Sequence, residues 1–210
     1  MTALCRSIAE KGYDNICRLM AGAEMVEIRI EESALNVDQV RQLFAEHSNM
    51  LATCRPTNLT PEEQTAYLKA AIEGGAKWVD VEIEADDSYR ANIIEIARKH
   101  NCNVIISYHN YNNTPNESEL YQIAQSAKAM GADVVKLACQ CNSSTDVLNL
   151  LNLYKLDFSL LAIGMGSIGA VTRIAAIPFK APFTFVSIAG KEKTAPGQID
   201  EDVIKSLEII

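Results

Sequence analysis

Short apolar runs alternate with longer amphipathic stretches along the whole chain. The apolar runs lie at residues 3–8, 25–30, 50–54, 78–83, 103–108, 133–138, 157–163 and 183–188, and their length and β-branched content predict eight strands. Helical periodicity fills the intervals at residues 9–20, 37–47, 61–73, 88–99, 117–130, 144–154, 167–176 and 201–210. Start signals agree with this division. Thr60-Pro61-Glu62-Glu63 supplies an N-cap, a proline at the first helical position and acids in the first turn, and Thr114-Pro115 predicts a second start of the same kind. Gly74-Gly75 and Gly131 stand where a chain leaving a helix needs a left-handed residue before the next strand.

Eight strand–helix alternations in 210 residues average about 26 residues per unit, compact but within the range of a (β/α)8 barrel. The fold class expected is therefore α/β, a compact TIM barrel in one catalytic domain spanning residues 1–210, starting at its first barrel strand without extra N-terminal strands. An open doubly wound sheet that binds a dinucleotide carries Gly-x-Gly-x-x-Gly after an early strand, and this chain has none.

Strand parity exposes the candidate chemistry. Side chains alternate faces, so the apolar positions Val26, Ile28 and Ile30 leave Glu27 and Arg29 on the opposite face. Val79, Val81 and Ile83 likewise leave Asp80, Glu82 and Glu84, His109 closes the fifth strand, and Lys136 lies within the sixth. Ionised groups inside a barrel need partners, because desolvation costs several kcal/mol per ion. A structural ion-pair network is one reading for each residue. Their clustering toward the C-terminal strand ends, where barrel enzymes place their chemistry, favours a site.

Composition narrows the partners. With 27 acidic against 19 basic residues the net charge is −8, which argues against broad nucleic-acid binding. No stretch approaches the ~20 apolar residues of a membrane span, and the first residues lack a signal-peptide pattern, so a cytoplasmic protein is expected. The six cysteines are scattered, and the Cys139-x-Cys141 pair lacks a second pair at zinc-finger spacing, so no metal site is expected. His47 and His100 end helical patterns and read as structural.

Taken in order, Glu27-x-Arg29, Arg55 in LATCRP, Asp80-x-Glu82, His109 in IISYHNYNNTP, Lys136 in GADVVKLA, Arg173 in GSIGAVTRIAA and Thr194 to Gln198 in KTAPGQI resemble the type I 3-dehydroquinate dehydratases. These are the Schiff-base lyases of the shikimate pathway of aromatic amino acid biosynthesis. The resemblance runs over almost the whole chain. It implies that Lys136 attacks the ketone of 3-dehydroquinate to form an iminium, while His109 removes the neighbouring proton and helps the hydroxyl leave as water. It further implies that Arg173 anchors the carboxylate, that Glu27, Arg29, Arg55 and Gln198 meet the ring hydroxyls and carbonyl, that Thr194 and Ser7 add hydroxyls, and that Met165 packs nearby. The segment from residue 189 to 198 resembles the family's lid. The iminium is an electron sink, so no cofactor or metal is expected, and the only partners implied are the small-molecule substrate and a second copy in a homodimer. Leu59 stands where many members carry an acid near the histidine, Asn110 where aspartate is common, and Thr194 where serine is common. The competing readings are a class I (Schiff-base) aldolase and a non-catalytic metabolite-binding member of the family.

Overall fold

The computed structural model describes residues 2–207. Of these, Arg6–Ile105 form one compact unit and the residues on either side form a second, with β1 (Ala3–Ile8) and β5 (Asn103–Asn110) contributing to both. The strands and helices alternate as the sequence predicts.

In the unit Arg6–Ile105, the strand order is β5, β4 (Trp78–Glu82), β3 (Met50–Thr53), β2 (Met25–Arg29) and β1. The ladders β2–β3 and β3–β4 are parallel, pairing Glu27 with Leu51, Arg29 with Thr53, and Thr53 with Asp80. Helices α1 (Tyr13–Met20), α2 (Val37–Phe44), α3 (Pro61–Glu73) and α4 (Asp87–Lys99) connect them. Ile16, Val40, Leu43, Leu68, Ile72 and Ile93 of these helices are buried together with Val26, Ile28 and Val79 of the strands. Helix α1 starts at Tyr13 and not at residue 9, because Gly12 sits at φ 87°, which a helix cannot continue through, and donates its N–H to Ser33 O. Helix α3 begins as predicted, with a reciprocal capping box between Thr60 and Glu63.

In the second unit, β7 (Leu160–Met165), β6 (Val134–Gln140) and β5 lie side by side, as do β1, β8 (Phe183–Ser187) and β9 (Ile199–Asp200). The β6–β7 register pairs Lys136 with Leu161 and Gln140 with Met165. Helix α5 (Glu117–Ala129) is capped by Asn116 and not by Thr114, whose hydroxyl donates to Gln140 O instead. Helix α6 (Ser144–Asn152) passes into a 3-10 turn at Leu153–Lys155, so β7 starts at Leu160 and not at residue 157. The two-residue β9, which the periodicity is too short to reveal, pairs with β8. Ile204 of helix α9 (Glu201–Ser206) packs with Leu4, Ile177 and Val186, and residues 208–210 of the helix expected there lie outside the described residues.

The helix expected at 167–176 is broken at Ala170 into α7 (Gly166–Gly169) and α8 (Val171–Ala175). The Thr172 hydroxyl accepts the Gly164 N–H at 2.7 Å and donates to Gly169 O at 2.8 Å, tying the end of β7 to the start of α8. A Cβ on Gly169 would lie 2.4 Å from Gly164 C, so the two backbones touch where no side chain fits. Gly169→Ala is therefore expected to lower stability by about 1–3 kcal/mol. An unchanged midpoint in chemical denaturation would show that the turn yields without strain.

Candidate active site

Glu27, on the middle of β2, is buried, and each of its carboxylate oxygens is held by a neighbouring strand. Ser7 Oγ on β1 donates to Oε2, and Thr53 Oγ1 on β3 donates to Oε1 at 2.9 Å. The row pairing of Arg29 with Thr53 explains the contact, because residues on one face of adjacent parallel strands come within side-chain reach. Two residues along, Arg29 closes on Glu31, with Nε 2.8 Å and NH2 2.6 Å from Oε1. Burial works against the Arg29 charge, but the Glu27 and Glu31 carboxylates outweigh it and raise its pKa.

Arg55 follows β3 and reaches β4. Its NH1 lies 2.9 Å from Asp80 Oδ1 and 3.3 Å from Glu82 Oε1, and the Asp80 side chain is wholly buried. Desolvation opposes the guanidinium, yet Asp80 and Glu82 hold it firmly protonated. Arg55, Asp80 and Glu82 form one wall of a pocket of about 250 Å3, whose other walls include Cys54, Gln64 and Tyr89. The pocket is otherwise largely apolar in its lining, and burial pushes the Cys54 thiol up to about 12. The carboxyl of Glu84, also on the pocket wall, is raised by burial and by its neighbour Glu82.

In the second unit, Lys136 is buried on β6 with its Nζ 4.8 Å from the centroid of the Phe185 ring on β8. Met165 shares its face of the β6–β7 ladder, four residues further toward the strand ends. His109 stands near the end of β5, its ring stacked on Tyr111 at 6.1 Å. Arg173 is buried on α8, one residue after the Thr172 tie. Thr194 and Gln198 close on one another: Thr194 N–H donates to Gln198 Oε1 at 2.9 Å, and Gln198 Nε2 donates to Thr194 Oγ1 at 2.8 Å. Lys193 Nζ adds a bond to Gln198 O at 2.7 Å. The lid-like loop is thus internally braced.

Met165, expected in the loop after the seventh strand, instead ends β7; the other predicted residues are on the elements expected, and direct bonds join Ser7 to Glu27 and Thr194 to Gln198. Three neighbours escape the sequence reading. Thr53 sits in an apolar run, Glu31 lies past the strand, and Phe185 reads as core. The signal for Thr53 and Phe185 is parity: Thr53 is paired with Arg29, and Phe185 alternates with buried Thr184 and Val186.

Solved structures similar to this chain include a type I 3-dehydroquinate dehydratase from Clostridium difficile with covalently modified comenic acid. It matches at a TM-score of 0.86 and 24% identity, covering 98% of this chain and 90% of that one. That likeness shows the fold, the (β/α)8 barrel expected from the alternation of elements. Among curated relatives, the 3-dehydroquinate dehydratase of Methanocaldococcus jannaschii is 37% identical over 70% of this chain and 66% of its own length, so the aligned stretch spans about two thirds of that relative. The 3-dehydroquinate dehydratase of Methanothermobacter thermautotrophicus is 32% identical over 98% of this chain and 96% of its own. The family profile described as type I 3-dehydroquinase matches residues 2–207, and the chain belongs to that family.

Two outcomes follow from the charge and thiol environments. Asp80→Asn removes the buried partner of Arg55 and is expected to destabilise the fold by about 3 kcal/mol in urea denaturation, whereas a loss under about 1 kcal/mol would show that Glu82 alone suffices. At pH 8 a thiol with a pKa of about 12 is ionised in only about one molecule in ten thousand, so Cys54 and Cys139 should resist iodoacetamide in the native protein. Peptide mapping that finds either alkylated before unfolding would contradict their burial.

Proposed function

We propose that the protein removes water from 3-dehydroquinate to give 3-dehydroshikimate through a lysine iminium, acting in the shikimate pathway as one catalytic domain. The observation that supports this reading best is Lys136, a buried lysine on β6 of a chain that matches the dehydroquinase family from residue 2 to 207. A lysine amine is a carbonyl nucleophile of the kind this chemistry needs, and burial on β6 keeps it away from bulk water.

In the proposed sequence the amine adds to the ketone and expels one water, leaving the iminium. His109 then takes a proton from the adjacent carbon, and the electron pair moves into the iminium to form an enamine. The enamine returns that pair as the hydroxyl departs, protonated by His109 to water. Hydrolysis of the conjugated iminium consumes one water and restores Lys136, so the net change is loss of a single water from the substrate. No cofactor enters this scheme.

Arg173 is assigned to the substrate carboxylate, and Glu27, Arg29, Arg55 and Gln198 to the ring oxygens, with Met165 as an apolar contact. Ser7 and Thr194 act chiefly by holding Glu27 and Gln198. Six free cysteines fit a reducing cytoplasm, and a homodimer completes the reading.

Borohydride reduction in the presence of 3-dehydroquinate should trap one adduct, mapped by mass spectrometry to Lys136. Lys136→Ala should lose the adduct and about 10^4-fold or more in turnover. A folded protein that turns over the substrate without a trappable adduct would remove the iminium from the scheme.

A further inference from the structure

Glu31 is a fully buried carboxylate that closes on Arg29 beside the candidate site. β2 ends at Arg29, and Ile30–Glu32 form a single 3-10 turn instead of continuing the strand. That turn is pinned from both sides. Ile30 is buried, Ser33 donates both its N–H and its hydroxyl to Ile30 O, and Ser33 O in turn accepts the Gly12 N–H. A continuing strand would carry the side chains of residues 29 and 31 parallel, about 7 Å apart. The turn instead sets the Glu31 carboxylate against the side of the Arg29 guanidinium.

The bonding there is lopsided. Nε and NH2 of Arg29 both converge on Oε1, while Oε2 is buried with no hydrogen-bond partner among the described residues. The Glu31 side chain is 0% exposed, the Arg29 side chain 23%. A desolvated carboxylate with one unsatisfied oxygen is a poor means of stabilising a fold. Burial raises its pKa, and the Arg29 charge, with the backbone N–H groups of Glu31 and Arg55, only partly offsets that. What the arrangement does accomplish is geometric. A guanidinium is a planar fork with two bidentate edges, and the Nε–NH2 edge is taken.

We infer that Glu31 is a positioning residue, which locks the guanidinium plane of Arg29 so that its NH1–NH2 edge is presented to the oxygens of the ligand. This rests on the dehydratase reading for the identity of the ligand, but the lock on Arg29 is independent of it. Glu27 and Arg55, the other charged groups around Arg29, act on it through space and leave the Nε edge to Glu31.

The test is a double-mutant cycle with steady-state kinetics on 3-dehydroquinate, paired with NMR of the Arg29 Nε–H, assigned by its loss in Arg29→Met. Glu31→Gln keeps the shape and weakens the grip, so it should raise KM about tenfold with kcat changed less than about threefold. In the Arg29→Met background the same substitution should change KM by less than about twofold, because a residue that acts through Arg29 has nothing left to position. Glu31→Asp should recover part of the loss. The Arg29 Nε–H should exchange slowly with solvent in the wild type and rapidly in Glu31→Gln and Glu31→Ala. Equal effects of Glu31→Gln in both backgrounds, or an Nε–H signal indifferent to Glu31, would overturn the inference. If the wild type does not turn over 3-dehydroquinate, the functional reading fails, and the Nε–H exchange decides the role of Glu31 by itself.

Discussion

Burying ionised groups on a sheet face is the constraint on which the unit Arg6–Ile105 is built. Glu27 is buried and Arg29 and Arg55 are only partly exposed, beside the packing that buries Val26, Ile28 and Val79. Desolvation of each ion costs several kcal/mol, so each must find compensation from the protein itself. The compensation differs in kind. Glu27 receives two neutral hydroxyls, Arg29 one carboxylate oxygen, and Arg55 a pair of carboxylates. Glu27 is hydrogen-bonded by neutral donors, whereas Arg55 is paired directly with the carboxylates of Asp80 and Glu82.

In the second unit, close backbone packing fixes the elements that carry the functional side chains. Gly164 and Gly169 let the end of β7 touch α7, and the Thr172 hydroxyl bridges both, fixing the short α8 that carries Arg173. Gly197 makes a similar approach to Gly166, where a Cβ would lie 2.4 Å from Gly166 O, so the braced Thr194–Gln198 loop rests on the same turn. The Lys136 amine lies 4.8 Å from the centroid of the Phe185 ring. Position here comes from close packing, and only glycine permits packing this close.

The strand–helix order and the faces of β2 and β4 were legible because burial imposes a period of two, and a charged residue at a buried parity is conspicuous. Helix starts were legible where a capping box spelled them out, as at Thr60 and Glu63. Thr114 misled because its hydroxyl answers a carbonyl on β6, a contact distant in sequence that no local pattern encodes. The break at Ala170 was hidden because 167–176 has helical periodicity, and the interruption comes from the Gly164 contact. Thr53, Glu31 and Phe185 were missed for the same reason: each takes its meaning from a partner, and partners become visible only once strand register is known.

The bridge from Ser7 through Glu27 to Thr53 has a consequence for assembly of the sheet. Sliding β3 by one residue against β2 would set Ala52 or Cys54 where Thr53 now donates and leave a buried carboxylate oxygen unanswered, besides turning the apolar side chains to the other face. The polar bridge discriminates, so it works as a proofreader of strand alignment during folding.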